Sequence, residues 1–538
     1  MTIFEYHDAT KHHYHRSAKS LGYMDWANQP DPFRRFQGRS PTSLPLLEND
    51  PDGGYPDLYL REKNPERPFV LKNIAGFLEL SLGLSAWKGM PGSRWSLRIN
   101  PSSGNLHPSE AHLILPSISR LDAGIYHYNP FLHALEFRAA LSKNLPDKIA
   151  GHFQTPGFLI GISSIFWRES WKYGERAFRY CNHDAGHALA CLSFSANLFG
   201  WKVIYLNSLS DDDIATVLGF DKTQWPYMEE EHPDFLCYVF PSSQMPASRN
   251  LPEDILKDFA EIEFFGIPNS LSPNHYNWKI IEMAGEKTKK PRTAPFELSL
   301  DDSALFFTKP LPDLPASQII RRRRSATGFD PSGYMTQDRF ISMLDKTLPR
   351  KHIAPFDVEL SIPCVHLLLF VHNVKGLEQG LYFFFRNDED QDLIRSVTRF
   401  EFLWQKVTEE ISLYLLQAGD FRQVAAKISC YQDIAGDSIF SLGMIAKFLD
   451  PVEKNSFVYR NLFWETGMIG QVLYLEAESH GVRGTGIGCF FDDAVHDILG
   501  FTDNRFQSLY HFTVGKHMVD GRIKTLPPYY HIERKRGN

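Results

Sequence analysis

The two halves of this 538-residue chain end with the same order of predicted elements, and this repetition constrains the fold more than any single motif. In each half, a long helix leads to a polar or glycine-rich turn, a strand, a short helix with an acidic start and a last strand. Residues 185–240 carry the first copy and residues 465–515 carry the second. The segments 213–220 and 493–501 both close on Leu-Gly-Phe. We therefore predict a duplicated domain, whose fused copies would reproduce a symmetric dimer within one chain.

Composition narrows the class of protein. A hydrophobic fraction of 43% with 22% charged residues is typical of a globular chain, and the net charge of -7 offers no basic excess for binding nucleic acid. The longest apolar runs, such as 365–371, are too short to span a bilayer, and no secretory signal is visible at the N-terminus. The six cysteines are scattered without a CxxC pair. We expect a cytoplasmic protein that binds neither nucleic acid nor membrane.

Prolines and apolar periodicity divide the chain into predicted domains at residues 1–245 and 319–538, joined by a proline-rich linker at 246–318. The first 70 residues are expected to form a short helix over 6–20 and then an irregular arm. Other helices are predicted over 69–87, 175–198, 211–218, 336–348, 401–416, 458–480 and 494–499. Strands are predicted over 111–115, 124–130, 158–166, 201–206, 236–240, 365–371, 380–385 and 509–514.

A polar, turn-rich stretch precedes the first of these strands. Residues 100–110 contain two serines, a glycine and an asparagine, which supply many hydrogen-bond donors and let the backbone approach a ligand closely. Taken alone, such a stretch is more often a solvated turn. A second glycine-rich stretch, at 484–493, is expected to be a loop.

Four stretches resemble motifs of the flavin-dependent nitroreductases. Residues 101–108 resemble that family's proline-serine-serine-x-asparagine loop, and Arg323-Arg324-Ser325 resembles its N-terminal Arg-x-Ser motif. Residues 486–488 resemble a later glycine loop, and residues 509–516 resemble the closing strand. The resemblance touches both halves of the chain, mainly 95–220 and 319–516.

Two further stretches resemble one branch of this superfamily. Residues 124–130 and 171–180 are most similar to the SagB/ThcOx-type dehydrogenases, which oxidise azoline rings in ribosomal peptides. The resemblance implies an α+β fold of two fused nitroreductase-like domains, each an antiparallel-rich sheet flanked by helices. It also implies an intramolecular pseudo-dimer with FMN at the interface.

The motifs are shared unequally between the halves, which implies one composite FMN site and a second site that is lost. The first half has the serine loop but only a poor Arg-Ser match at 15–19, and residues 353–362 of the second half lack that loop. The phosphate is expected on Arg323, Ser325 and Lys516, since arginine offers phosphate a bidentate fork. The run of arginines could instead be a solvated basic segment. The expected cofactor-binding residues are Pro101, Ser102, Ser103, Asn105, His107, Arg323, Arg324, Ser325, Gly486, Ile487, Gly488 and Lys516.

A base must remove the second proton of a dehydrogenation, and the resemblance points to Lys172 and Tyr173, where the azoline dehydrogenases carry a lysine–tyrosine pair. A lysine acts as a base only where burial or a cationic neighbour lowers its pKa, and Lys172 could equally lie on the surface at the start of a helix.

His183 and His187 stand four residues apart, as in a helical zinc motif, but an Asp replaces the usual Glu and no third ligand is clear, so no metal is expected.

The favoured function is FMN-dependent dehydrogenation of an azoline-like or similar C–N ring, in a small-molecule or modified-peptide substrate, with hydride transfer to flavin. The first alternative is an NAD(P)H-dependent nitro or quinone reductase. The second is a degenerate flavoprotein scaffold that binds a peptide or partner. The fused pair could also associate further as a homodimer.

Overall fold

The computed structural model describes residues 1–60, 64–119, 121–306 and 314–532. Helices cover both halves of this part of the chain, and most follow apolar periodicity in the sequence. They are α1 (Ile3–Ala9), α2 (Leu71–Ser81), α3 (Leu145–Phe153), α4 (Phe166–Tyr173), α5 (Ala177–Leu198), α6 (Asp211–Leu218), α7 (Glu253–Ala260), α8 (Lys279–Lys287), α9 (Ala316–Arg322), α10 (Gln337–Asp345), α11 (Gln391–Val397), α12 (Arg422–Ile428), α13 (Asp433–Gly436), α14 (Leu449–Lys454), α15 (Val458–Ser479) and α16 (Asp492–Leu499).

Strands of the first half begin in the N-terminal arm and end in the proline-rich segment. They are β1 (Phe36–Gln37), β2 (Thr42–Ser43), β3 (Leu84–Met90), β4 (Ser93–Arg98), β5 (Ser109–Leu115), β6 (Gly124–Asn129), β7 (Ala134–Ala140), β8 (Phe158–Ser164), β9 (Trp201–Tyr205), β10 (His232–Pro241) and β11 (Ile267–Pro268).

Strands of the second half follow α9. They are β12 (Phe329–Asp330), β13 (Met335–Thr336), β14 (Val365–Val371), β15 (Val374–Lys375), β16 (Gly380–Phe384), β17 (Gln405–Lys406), β18 (Leu413–Ala418), β19 (Phe440–Lys447), β20 (Arg483–Ile487), β21 (Phe506–His517) and β22 (Lys524–Leu526).

Each half contains one large antiparallel sheet, and the two sheets have the same topology. The first has the order β2-β7-β6-β5-β8-β10-β9, and the second has the order β12-β21-β19-β14-β16-β18-β17, with β20 also paired to β21. Strands β5 to β10 can be matched in chain order with β14, β16, β18, β19, β20 and β21. Every pair of neighbours among the first six strands then has its counterpart among the second six. The predicted α+β fold with an antiparallel-rich sheet and flanking helices is confirmed.

The two halves meet along the helix pair α5 and α15, each of 22 residues. A Cβ added to Gly186 would lie 2.1 Å from the Trp464 carbonyl oxygen, and one added to Gly467 would lie 2.3 Å from the His183 carbonyl oxygen. The glycines therefore let the two backbones touch. Nearly every residue of both helices is buried, because the pair is covered on all sides by one apolar core that spans both halves.

Several predicted elements are confirmed. Helix α5, helix α15 and the strands β5, β6, β8, β9, β10, β14, β16 and β21 lie where apolar periodicity put them. Helix α6 ends at Gly219, whose φ of 72° is left-handed and suits glycine. Helix α10 begins after Thr336, as expected.

The helix predicted over 401–416 is wrong, because this segment forms β17, a loop and most of β18. Strand β18 is buried on both faces: Leu413 and Leu415 join the main core, while Tyr414 and Leu416 join a second apolar cluster. A doubly buried strand has a continuous apolar run, which periodicity alone does not separate from a helix.

Two other helices are shorter than predicted. Helix α1 ends before Thr10, whose hydroxyl donates to the carbonyl oxygens of Tyr6 and His7 in the last turn. Helix α2 ends near Gly83, where a Cβ would lie 2.7 Å from the Glu79 carbonyl oxygen, and the chain turns there into β3.

The stretch predicted as a glycine-rich loop begins instead as strand β20, which pairs with β21. Gly484 and Gly486 both pair with β21 in this strand. Aromatic side chains of β21 lie against both glycines and leave no room for a side chain there. A Cβ on Gly484 would meet the Phe512 ring at 2.6 Å.

Residues 246–318 were predicted as a linker, and part of this segment packs on the first half. It contains α7 and α8, and β11 pairs with β1 of the N-terminal arm. Residues 307–313 lie outside the described residues. In the part of the chain that is described, no helix is both long and apolar enough to cross a membrane.

Candidate active site

A cavity of about 630 Å³ lies between the halves, a size typical of cofactor and small-molecule sites. Its walls come from segments that are far apart in the sequence: the loop around 100–107, the residues 323–327 after α9, the end of β20 and the segment 518–525. Helix α5 contributes Tyr180, Asp184 and His187.

The loop at 101–107 is held open toward the cavity by its own side chains. Asn105 and His107 have left-handed φ angles of 60° and 54°, a conformation that is uncommon for non-glycine residues but that Asn and His adopt more often than most. Ser102 Oγ accepts the His107 N–H at 2.8 Å, and Asn105 Nδ2 donates to the Ser96 carbonyl at 2.9 Å. The loop is therefore preorganised before any ligand arrives.

Two buried carboxyl groups lie behind this loop. Asp184 Oδ1 accepts the Ser103 backbone N–H at 3.1 Å, and Glu169 Oε1 accepts the Ser102 hydroxyl at 3.4 Å. Burial raises the pKa of Asp184 to about 7, although its hydrogen bonds to the serines oppose this. Burial, and then the charge of Asp184, raises the pKa of Glu169 well above its usual value. The pair therefore holds at least one proton near neutral pH.

A group of basic side chains lines another part of the wall: Lys88, Arg98, Arg323, Arg324 and Arg483. Burial, and then the charges of Arg323 and Arg483, lowers the pKa of Arg324 to about 9. Within the described residues, the buried Nε atoms of Arg98 and Arg323 have no hydrogen-bond partner, whereas Arg483 Nε lies 3.6 Å from Glu478 Oε2 in an ion pair. Crowded guanidinium groups with free donors fit an anionic group such as a phosphate.

The glycines at the end of β20 make room for aromatic side chains. A Cβ on Gly486 would lie 1.9 Å from Tyr510 Oη, and one on Gly488 would lie 2.2 Å from Tyr180 Cε1. Any side chain at either position would therefore displace a tyrosine of the cavity wall.

The Arg-Ser segment is fastened to β20 by hydrogen bonds. The Ala326 N–H donates to the Gly484 carbonyl at 3.2 Å, and Thr485 Oγ1 donates to the Ala326 carbonyl at 2.8 Å. Ser325 Oγ lies 2.8 Å from Tyr474 Oη. The guanidinium groups and the glycine strand are thus fixed relative to each other.

Most of the predicted site residues line this one cavity: Pro101, Ser102, Ser103, Asn105, His107, Tyr173, Arg323, Arg324, Ser325, Gly486, Ile487 and Gly488. Lys172 is not in the lining, but it is half-buried beside Gly104, and its Nζ lies 5.3 Å from the Tyr173 ring centroid. Lys516 lies outside the cavity and forms a 2.8 Å ion pair with Asp330, so the structure does not bring it to the predicted phosphate position.

The sequence prediction missed several cavity residues, chiefly Arg98, Tyr180, Asp184, Tyr474, Arg483 and Tyr510. Most lie in helices or strands, where a polar residue in an apolar run gives only a weak signal.

His183 Nδ1 lies 2.9 Å from Thr466 Oγ1, and His187 Nε2 lies 3.3 Å from Tyr510 Oη, so both contact the second half. In the described ranges, no group of three or more His, Cys, Asp or Glu side chains could hold a metal ion.

The equivalent position in the first half is covered by the chain itself. By strand order, the loop 206–209 after β9 corresponds to the residues after β20. The Thr293 N–H donates to the Ser208 carbonyl at 2.9 Å, Asn207 Nδ2 donates to the Phe296 carbonyl at 2.9 Å, and Lys290 Nζ donates to the Leu209 carbonyl at 2.8 Å.

Comparison with known proteins agrees with this geometry. Residues 320–516 match the model of the nitroreductase family. Members of that family depend on FMN, the cofactor predicted from the motifs. The crystal structure of a protein from Anabaena variabilis, described as a nitroreductase, superposes with a TM-score of 0.68 at 20% identity. That superposition covers 96% of this chain and all of the other, so the two share a fold along nearly their whole length.

Two curated proteins are similar over shorter stretches. A protein of Methanocaldococcus jannaschii, named as a nitroreductase, is 24% identical over 161 residues, which are 28% of this chain and 75% of that protein. The trifolitoxin-processing protein of Rhizobium leguminosarum bv. trifolii is 26% identical over 147 residues, which are 26% of this chain and 38% of that protein.

Proposed function

We propose that the nitroreductase family domain at residues 320–516 works together with the first half of the chain as an FMN-dependent oxidoreductase with one composite cofactor site. One observation carries the proposal: the serine loop of the first half and the Arg-Ser and glycine segments of the second line a single cavity. The two halves would then act as an intramolecular pseudo-dimer, with domains at 1–245 and 319–538.

The basic group of the wall would hold the phosphate. Arg323, Arg324 and Arg483 supply the positive charge, and Ser325 supplies a hydroxyl. The Nε atom of Arg323, which has no described hydrogen-bond partner, supports this role, since a phosphate oxygen would satisfy it. We assign no phosphate contact to Lys516, whose ammonium pairs with Asp330.

The loop 101–107 and the backbone of 486–488 would hold the flavin ring. When bound, FMN supplies a hydride acceptor, which amino-acid side chains lack. The tyrosines 173, 180 and 510 give that part of the cavity flat, largely buried surfaces that suit a planar ligand and exclude water.

We assign the transfer of the substrate proton to Lys172 and Tyr173. Burial, and then the charge of Glu169, raises the pKa of Tyr173 well above its usual value, so this phenol keeps its proton at neutral pH and orients the substrate as a donor. Lys172, half-buried beside Gly104 of the serine loop, would accept the proton.

The favoured reaction is dehydrogenation of an azoline-like or similar C–N ring in a small molecule or modified peptide. The Lys172–Tyr173 pair supports it, and so does the similarity to a protein named for trifolitoxin processing. The alternative is an NAD(P)H-dependent nitro or quinone reductase, which the similarity to proteins named as nitroreductases supports. Anaerobic mixing of the flavin-loaded protein with each reductant separates the two reactions. An azoline peptide would bleach the flavin of a dehydrogenase, and NADH or NADPH would bleach the flavin of a reductase. A peptide-binding scaffold would retain no flavin.

Arg323→Ala tests the cofactor site, with Lys516→Ala as the matched control. The first removes a buried guanidinium from the cavity, and the second removes a half-exposed ammonium outside it. We expect Arg323→Ala to lose most of its FMN and Lys516→Ala to keep the wild-type amount, measured as flavin released from the purified proteins. Full FMN retention by Arg323→Ala would exclude the proposed phosphate site.

A further inference from the structure

Two cysteines that are 59 residues apart in the sequence meet at the wall of the cavity. Cys489 follows Gly488 in the lining, and Cys430 comes two residues after α12. Both are free thiols, and their Sγ atoms lie 2.7 Å apart. A disulfide bond requires an approach to about 2.05 Å, which is a shift of well under one ångström for these side chains.

The backbone holds the two cysteines in this position. On one side, the Phe491 N–H donates to the Ile428 carbonyl at 2.8 Å; on the other, Gln432 Nε2 donates to the Cys489 carbonyl at 3.1 Å. Cys430 itself has a left-handed φ of 54°, a conformation that a non-glycine residue keeps only when its surroundings impose it. The fold therefore fixes the backbone positions of the two cysteines relative to each other.

The two thiols differ in their exposure to solvent and in their pKa. Cys489 is exposed and Cys430 is half-buried. The hydrogen bond between the two sulfurs lowers the pKa of Cys489, burial opposes this, and His12 and Arg176 lower the pKa further, to about 5. The same hydrogen bond, followed by burial, raises the pKa of Cys430. Cys489 is thus the nucleophile and Cys430 the resolving thiol.

We propose that Cys430 and Cys489 form a redox-active dithiol, which small-molecule disulfides oxidise reversibly to a disulfide bond in the cavity wall. This proposal does not rest on the proposed function, because neither cysteine needs bound flavin for the exchange. The other cysteines, Cys181, Cys191, Cys237 and Cys364, are buried or half-buried, and none of them has a described contact with another sulfur.

The exchange is balanced in atoms and electrons. The Cys489 thiolate attacks one sulfur of a disulfide R–S–S–R, which forms a mixed disulfide and releases one R–S⁻. Cys430 gives up its proton and attacks Cys489 Sγ, which breaks the mixed bond, forms the protein disulfide and releases the second R–S⁻. Two electrons pass from the protein to R–S–S–R, and the released thiolates take up protons from Cys430 and water.

The test uses the purified full-length protein, equilibrated in mixtures of reduced and oxidised glutathione, blocked with N-ethylmaleimide and digested without reduction. We expect a linked Cys430–Cys489 peptide pair in oxidising mixtures, two maleimide-labelled peptides in reducing mixtures, and unchanged labelling of Cys364. Labelling of both cysteines at every ratio would overturn the proposal.

Variants separate the two roles. Cys430→Ser should accumulate the glutathione mixed disulfide at Cys489, at least about tenfold above wild type, because the resolving thiol is gone. The control Cys364→Ser should form the Cys430–Cys489 link as the wild type does. Equal amounts of mixed disulfide in Cys430→Ser and wild type would contradict a resolving role. Flavin content does not enter any of these readouts, so failure here is distinguishable from failure of the cofactor proposal.

Discussion

Single residues decide which groups hold protons beside the cavity. Tyr173 and Glu169 have raised pKa values, and Asp184 titrates near neutrality, all chiefly because of burial. A group whose protonation changes near pH 7 next to a reacting centre is typical of active sites.

Lys172→Ala tests the proposed base. The side chain is outside the cavity lining, so we expect the variant to keep its FMN and to lose about 10²- to 10⁴-fold in the rate of substrate oxidation. Tyr173→Phe is the companion variant, which removes the donor and keeps the ring. The measurement is flavin reduction by substrate under anaerobic conditions. Unchanged activity in Lys172→Ala would move the role of base to Glu169 or Asp184.

Asp184→Asn tests the buried carboxyl pair. The folded pKa of Asp184, about 7, lies above the ordinary value of 3.8 for an aspartate, so the contribution of Asp184 to stability is complete below the lower value and is lost as the pH rises through the upper one. The amide keeps an acceptor for the Ser103 N–H but has no proton to lose. From about pH 6 to about pH 8, the wild type should lose more stability than the variant, by on the order of 1 kcal/mol. Denaturant midpoints at both pH values measure this, and identical pH slopes would contradict the assignment.

At the same scale, the sequence predicts those parts of the site whose residues are adjacent in the chain. The serine loop, the Arg-Ser motif and the glycine segment each keep their residues together, and all three line the cavity. The cavity is also lined by Tyr474, Tyr510 and Arg483. These residues lie on a helix and on strands whose spatial neighbours cannot be read from the sequence. Lys516 was misplaced because the end of β21 carries it away from the cavity to Asp330.

At the scale of elements, the close contact of α5 with α15 depends on two glycines. Gly186→Ala or Gly467→Ala would push a methyl group into the backbone of the facing helix, so we expect a loss of about 2 kcal/mol or more. Gly151→Ala in α3 is the matched control: its Cβ would have no neighbour within 4 Å, and alanine should stabilise that helix by about 0.5 to 1 kcal/mol. Thermal unfolding compares the three. A Gly186→Ala variant as stable as wild type would show that the helices are less tightly packed.

Elements were predictable where their periodicity was clean. Helix α6, with its acidic start and Gly219, is fixed by local chemistry, since Ser210 caps it and the left-handed glycine ends it. Strand β18 was not predictable, because burial on two faces removes the alternation that identifies a strand. The pairing of Cys430 with Cys489 was also out of reach, since the packing of α12 against α16 sets it.

At the scale of the whole molecule, the two halves have the same sheet topology, but the two positions where a cofactor could bind differ. The cavity lies where the serine loop of the first half meets β20 of the second. At the corresponding loop after β9, residues 290–296 of the chain form hydrogen bonds with Asn207, Ser208 and Leu209. A segment in that position supports the proposal that the second cofactor site has been lost while its fold is kept.

The number of flavins per chain tests the single composite site most directly. The purified protein would be saturated with FMN and freed of excess, its flavin released by heat and quantified against the protein concentration. The account predicts about one FMN per chain. About two per chain would contradict the lost second site, and no flavin, even after saturation, would contradict the cofactor itself.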